Sequence, residues 1–214
     1  YHSWAKVFGG WGRVQGDPAN AGTHGVSSHL SGVATGVEYR ILPSFAAGFA
    51  LGGGGSSWSL SRGLGGGSGD FVQAGVYGVA ELGAAYVSAA LGFGTHWMTT
   101  SRVATFGYSL KGNFGAQNVS GRLESGYKLA TPFAIVTPFA ALQSQRVVTD
   151  GFGETAALPI GTDFGLTYKG RAAVATRSEL GSHFEMSAPL AGALRVQLRG
   201  TLAWAHNWAD DPAL

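Results

Sequence analysis

From Arg171 the chain alternates by single residues. Arg171, Ala173, Ala175, Arg177, Glu179, Gly181, His183 and Glu185 fall on one parity, and Ala172, Val174, Thr176, Ser178, Leu180, Ser182, Phe184 and Met186 on the other. After a turn expected at Ser187 to Ala193 the pattern resumes, with Leu194, Val196, Leu198, Gly200, Leu202 and Trp204 against Arg195, Gln197, Arg199, Thr201, Ala203, Ala205 and Asn207. A period of two is that of a strand, whose successive side chains point to opposite faces. Each run exceeds ten residues, whereas strands of water-soluble domains have about five or six and a tilted strand crosses a bilayer in about 9 to 11. A tight turn sets Glu185 opposite Arg195 and His183 opposite Gln197, at the spacing where cross-strand partners attract.

The same pattern recurs upstream. Val33, Thr35, Val37 and Tyr39 oppose Ala34, Gly36, Glu38 and Arg40; Phe45, Phe49 and Leu51 oppose Ala46, Gly48 and Gly52; Val119 and Leu123 oppose Asn118, Ser120, Arg122 and Glu124; Pro138 and Leu142 oppose Phe139, Gln143 and Gln145. Leu82 to Ser101 carries no charged residue over the length of a membrane helix, yet it contains Gly83, Gly92 and Gly94 and alternates Val87, Ala89, Leu91 and Phe93 with Tyr86, Ser88, Ala90 and Gly92, so it reads as a strand. Trp4 to Val14 is an aromatic first strand of unassigned facing, with a bulge or a bend expected at Gly9-Gly10. Pro138 is unusual within a strand because it cannot donate to the ladder.

Connections are expected to alternate, short after Arg40, Glu81, Tyr127 and Met186 and long after Val14, Gly52, Thr95 and Arg146. The long ones would span Gln15–Gly25, Gly53–Gly69, His96–Gly112 and Val147–Thr162. This is the habit of membrane barrels, with short turns at one end and long loops at the other. The fold class expected is therefore all-β, an antiparallel up-and-down transmembrane β-barrel with about nine strands present. Tyr39, Tyr127, Trp97, Trp204 and Trp208 suit interfacial girdles, although a soluble β-sandwich core would also use such residues.

Composition agrees. Gly supplies 36 of 214 residues and charged residues only 12%, against about 7% and 25% in ordinary domains, so the outside is not a conventional water-facing surface. The mean hydropathy of +0.11 is low for a helical membrane protein. Absence of cysteine excludes disulfides and thiol chemistry. A net charge of +2 with scattered Lys and Arg gives no case for nucleic acid.

No catalytic or metal motif stands out. Gly66-Gly67-Ser68-Gly69-Asp70 fails the nucleophile-elbow pattern at its last position, the glycine runs lack the Gly-Lys-Ser/Thr of a phosphate loop, and the six histidines have no zinc-ligand spacing. His206, Asp210 and Asp211 share the rim of the last strand, but a general base needs a positioned partner and a solvated loop start explains them as well. No cofactor is expected and the chain does not read as an enzyme. The inward parity collects Glu38, Arg40, Arg122, Glu124, Gln143, Arg177, Glu179, His183, Glu185, Arg195, Gln197 and Arg199, a mixed-sign lining that keeps a lumen wet and argues against strong ion selectivity. These groups either meet a guest or simply pair with one another to hold register.

Trp4-Ala5-Lys6-Val7-Phe8-Gly9-Gly10-Trp11-Gly12-Arg13, Gly36-Val37-Glu38-Tyr39-Arg40, Pro138-Phe139-Ala140-Ala141-Leu142-Gln143, Arg177-Ser178-Glu179-Leu180-Gly181 and Leu202-Ala203-Trp204-Ala205-His206 together resemble the translocator β-domain of autotransporters, the type V secretion proteins of Gram-negative bacteria. The resemblance implies a twelve-stranded outer-membrane barrel that exports or anchors an upstream passenger through a linker helix in its pore. It further implies a monomer in contact with outer-membrane lipid and with the barrel-assembly machinery. One domain over residues 1–214 is expected, lacking about three C-terminal strands, with any leader or passenger preceding Tyr1. A passenger-less pore would share the strand pattern.

Overall fold

The computed structural model describes residues 1–17, 22–104, 107–156, 165–189 and 195–209. Nine long strands dominate: β1 (His2–Val14), β2 (Val26–Leu42), β3 (Phe45–Leu60), β4 (Gly65–Leu82), β5 (Ala85–Val103), β6 (Ser109–Tyr127), β7 (Ile135–Thr149), β8 (Arg171–Pro189) and β9 (Arg195–Ala209). Each pairs antiparallel with its sequence neighbours in the order β1 to β9, an up-and-down meander that curls into a half-barrel. Two-residue ladders add Leu129–Ala130 to β7 and Thr155–Ala156 to β6, and Phe152–Gly153 pairs with Thr167–Tyr168.

Which residues are covered identifies the two faces. Leu91, Leu202 and Val33 on the outward parity are 65%, 74% and 60% exposed, whereas Asn118 and Thr137 on the inward parity are buried. That is the reverse of a water-soluble sheet, and it is the distribution of a wall with hydrocarbon outside and a polar interior. Uncharged Leu82 to Ser101 is divided between the end of β4, a tight turn with Gly83 at φ +70°, and β5. Among the described residues no helix is long and apolar enough to cross a membrane.

Several expectations need correction. β1 pairs with β2 in unbroken register from His2↔Glu38 to Val14↔Val26, so Gly9-Gly10 is no bulge; the irregularity lies between Arg40 and Leu42 instead. The small size of Gly9 and Gly10 leaves the backbone free to follow the ladder. Gly53–Gly69 and His96–Gly112 are mostly strand, the connections shrinking to 61–64 and 104–108. There Gly53↔Val72, Gly55↔Asp70 and Ser57↔Ser68 are ladder rungs. Strands that project past the hydrocarbon need backbone pairing but no apolar alternation, so Gly and Ser serve in them. β7 likewise runs on to Thr149.

The β8–β9 register also differs from the tight-turn expectation. Glu185 pairs with Arg199 and His183 with Thr201, while Arg195 pairs with Pro189 and Gln197 with Ser187. β8 continues to Pro189, through the first three residues of the expected turn, which moves every pair along; residues 190–194 lie outside the described residues. Pro138 sits one position beyond Gly126↔Phe139, the last β6–β7 rung, so its missing N–H interrupts nothing on that side.

β1, whose facing the sequence left open, turns Trp4, Lys6 and Phe8 inward. Trp4 Nε1–H donates to the Tyr77 hydroxyl of β4 at 2.9 Å, and the Phe8 and Phe71 rings lie 6.4 Å apart. Phe8, Gly32, Gly54 and Phe71 share one rung across four strands. The two glycines leave the room that the two rings fill, since a Cβ on Gly54 would stand 2.9 Å from the Phe71 ring.

Candidate functional site: the inner wall

Six of the twelve inward residues converge on β6, β7 and β8. Arg122 is central because its rung, Arg122↔Gln143↔Arg177, sits beside the rung Glu124↔Ala141↔Glu179. Its Nη2 donates to Glu124 Oε2 at 2.7 Å and to Glu179 Oε2 at 2.8 Å, and its Nη1 to Gln143 Oε1 at 3.4 Å. Arg177 Nε closes on Glu179 Oε1 at 2.7 Å. One carboxylate therefore holds two guanidinium groups, and one guanidinium spans two carboxylates. Such charge-assisted bonds are about twice as strong as neutral ones, and only Ala141 stands between the two carboxylates in the strand order.

The cluster extends to groups absent from the expected set. The Tyr86 hydroxyl on β5 donates to Glu124 Oε1 at 2.7 Å. His183 Nε2 lies 3.3 Å from the same oxygen, and its Nδ1 2.9 Å from Thr201 Oγ1. The His183 ring stacks on Phe139 with centroids 4.1 Å apart and planes inclined by 7°. Tyr86, Phe139 and Thr201 have inward parity and a polar or aromatic side chain, a signal that could have found them; the expected set took only charged residues, His183 and the two glutamines Gln143 and Gln197.

Glu185 and Arg199 form a second pair at 3.2 Å. Together with Glu81, Lys128, Thr137 and His183 they line a concavity of about 470 Å³ near the short-turn end. Arg40 donates to the Pro43 carbonyl at 2.9 Å and lies 3.8 Å from Glu81, which Lys128 approaches at 2.6 Å. Glu38 stands apart from the central cluster, opposite His2 and Gly48. Gln197 faces Ser187, and the Arg195 side chain falls outside the described residues.

At the loop end a short hairpin folds onto the inner face. Phe152 stacks between Phe114 at 4.5 Å and Tyr168 at 4.7 Å. Glu154, only 7% exposed, receives Arg102 at 3.1 and 2.5 Å and the Leu166 N–H at 3.2 Å. The Arg102 hydrogen bonds are the main influence that holds the Glu154 carboxyl below its ordinary pKa, against burial, which pushes it upward. Of the three residues considered for acid-base work, His206 lies outward between Trp204 and Trp208; Asp210 and Asp211 are outside the described residues. Among the described residues no group of His, Asp and Glu is placed to hold a metal.

An exposed apolar wall around a charged, self-paired lining is the arrangement of a membrane translocator barrel, and comparison with known proteins decides which kind. The Autotransporter beta-domain family matches over residues 3–213. The chain belongs to that family. No curated protein matches the chain significantly. Among solved structures it is similar to the β-domain of the Bordetella autotransporter BrkA, with a TM-score of 0.72 and 21% identity over 97% of this chain and 78% of the other. It is also similar to the translocator domain of the autotransporter NalP from Neisseria meningitidis, with a TM-score of 0.67 and 14% identity over 99% and 76%. The autotransporter β-domain described here is thus an outer-membrane translocator and anchor of a Gram-negative bacterium, a transport barrel to which a passenger domain is attached.

Proposed function

We propose that the inner wall formed by Glu38, Arg40, Arg122, Glu124, Gln143, Arg177, Glu179, His183, Glu185, Arg195, Gln197 and Arg199 is the surface along which a linker helix and the emerging passenger lie. The observation that carries this reading is the Arg122–Glu124–Glu179 cluster. Its charges satisfy one another within the wall, so a guest meets a hydrated surface of balanced sign that holds its shape without gripping one sequence. The barrel itself performs no chemistry and uses no cofactor. Its outward apolar band contacts membrane lipid, the barrel-assembly machinery inserts it, and it works as a monomer. Residues 1–214 act as one domain, and about three further strands joining the edges of β1 and β9 that pair with no other strand among the described residues would close it, because unpaired backbone groups in hydrocarbon cost several kcal/mol each.

The test uses the parent protein with its passenger. A photo-reactive amino acid in place of inward Gln143 should crosslink to the segment preceding Tyr1 during export, while the same group in place of outward Leu142 should capture lipid or nothing. Equal crosslinking from both positions would refute the assignment. If the parent reading frame encodes only a leader before Tyr1, the passenger-less pore takes its place.

A further inference from the structure

The inner wall satisfies its charges unevenly. On β6, β8 and β9, Arg122, Arg177 and Arg199 each reach a carboxylate within 3.2 Å, and at the turn end Arg40 and Lys128 share Glu81. Two inward charges on β1 and β2 close no ion pair among the described residues. Lys6 is exposed and has its ammonium 5.6 Å from the centroid of the Trp4 ring. Glu38 is half-buried and faces His2 and Gly48 across the ladder.

Beside these two charges the wall is bare. The rung through Lys6 continues over Ala34 and Gly52, and the next rung toward the turn end passes over Ala50, Gly75 and Gly92. These five residues floor a hollow of about 210 Å³ whose loop-end rim is Phe8 and Phe71. A bare floor selects no occupant, but the flanking charges select by sign and spacing. Lys6 opposes Ala34, and Glu38 lies four residues nearer the turn end on the same strand, about 13 Å along it. That is too far for the two to satisfy one another. An α-helix returns to the same face after seven or eight residues, a rise of about 10.5 to 12 Å, so an acid and a base at that spacing meet both charges.

We propose that Lys6 and Glu38 fix the resting depth and direction of the guest helix, by pairing with an acidic and a basic residue seven or eight positions apart on one of its faces, the acid nearer the loop end. The inference rests on the reading of the inner wall as the guest surface. It divides the work of that wall: the self-paired Arg122 cluster lets any sequence pass, and the unpaired charges of β1 and β2 hold one. A small anion would satisfy Lys6 and leave Glu38 alone, and a small cation would do the reverse. Only a chain that carries both signs at the right spacing serves both. A helix lying the other way sets like charges against each other at both depths, so the same two residues that attract the seated guest reject the reversed one.

The experiment treats the parent protein with a carbodiimide, which joins an amine to a carboxylate in direct contact, and locates the Lys6 adduct by peptide mass mapping. The wild type should join Lys6 to an Asp or Glu in the segment preceding Tyr1, with a Lys or Arg seven or eight positions from that acid. In planar bilayers Lys6→Gln and Glu38→Gln should each shift the equilibrium between plugged and open pores about tenfold toward open, the fold-change of one charge-assisted hydrogen bond. Lys6→Glu combined with a change of the mapped acid to Lys should return it toward the wild type. An adduct to a residue following Leu214 would make Lys6 a contact between strands and overturn the proposal. So would a base four positions from the acid, the spacing of an extended guest, or no Lys6 adduct in wild type whose heat-dependent gel mobility shows it folded. Crosslinking from Gln143 tests the wall as a whole, so its success without a Lys6 adduct would leave that reading in place and remove this one.

Discussion

Trp4 and Tyr77 are joined by a 2.9 Å hydrogen bond although 73 residues and two intervening strands separate them. The bridge forms because Gly36 of β2 and Gly48 of β3 present no side chain beneath it. A Cβ on Gly36 would lie 2.6 Å from the Trp4 ring, and one on Gly48 would lie 2.6 Å from both the Tyr77 ring and the Val37 carbonyl oxygen. Glycine, normally unfavourable within a strand, here lets large residues of β1 and β4 reach over their neighbours and fix the curvature of the wall.

Gly48→Ala should therefore destabilise the folded barrel by about 1–3 kcal/mol, the range for overpacking a filled site. Gly10→Ala, with nothing within 4 Å of its added methyl, should be neutral or gain about 0.5 kcal/mol from reduced unfolded-chain entropy. The midpoint temperature of the heat-induced shift in gel mobility measures both. Equal midpoints for the two variants would refute the packing role of Gly48.

The strand pattern was readable because lipid and a wet lumen make opposite demands on alternate residues. Leu194 to Trp204 and Val33 to Tyr39 record that demand directly. Beyond the hydrocarbon it disappears, and Gly53 to Gly69 then looks like a flexible linker although its backbone is paired rung for rung. Inward charges were found by parity, but their pairing was not, since register depends on turn geometry; four positions along β9 separate Glu185–Arg195 from the observed Glu185–Arg199. Tyr86 was placed by parity within an uncharged run but given no part in the lining. Its role lies in one hydroxyl aimed at Glu124, which periodicity does not reveal.

The Glu154–Arg102 contact predicts a pH effect confined to the loop-end hairpin. Glu154 has a carboxyl pKa lowered on folding from 4.5, so the stability it adds is complete above that value and is lost as pH falls through the lower, folded one. Hydrogen exchange at the Leu166 amide, which donates to Glu154 Oε2 at 3.2 Å, should show a protection factor that is flat from neutral pH to about 5 and falls in stronger acid. Glu154→Gln should abolish that acid-dependent step and cost the hairpin about 1–3 kcal/mol at neutral pH. A variant with the wild-type acid profile would show that another group controls the hairpin.

Within the inner wall the cost of a change should follow the number of partners removed. Tyr86→Phe deletes one bond to Glu124 and should cost about 1 kcal/mol, whereas Arg122→Gln leaves both Glu124 and Glu179 without their shared cation and should cost about 1–3 kcal/mol, below the value for a fully buried pair because Arg122 keeps part of its solvent contact. Gel-mobility midpoints again provide the measure. Added salt should narrow the Arg122→Gln difference by screening the two carboxylates; a difference indifferent to salt would assign the loss to packing.

The observed register of β8 and β9 makes the most direct prediction of all. The chain contains no cysteine, so an introduced pair reports without interference. Glu185 and Arg199 are ladder partners with charged ends 3.2 Å apart, and opposed residues place their Cβ atoms about 4.5–5.5 Å apart, within reach of the disulfide bond after a small adjustment. Glu185→Cys with Arg199→Cys should oxidise readily in the folded barrel. Glu185→Cys with Arg195→Cys should not, because four residues along a strand span about 13 Å. Preferential crosslinking of the second pair would restore the tight turn that alternation alone favours, and would move His183 away from Thr201 and out of the arrangement that ties β9 to Glu124.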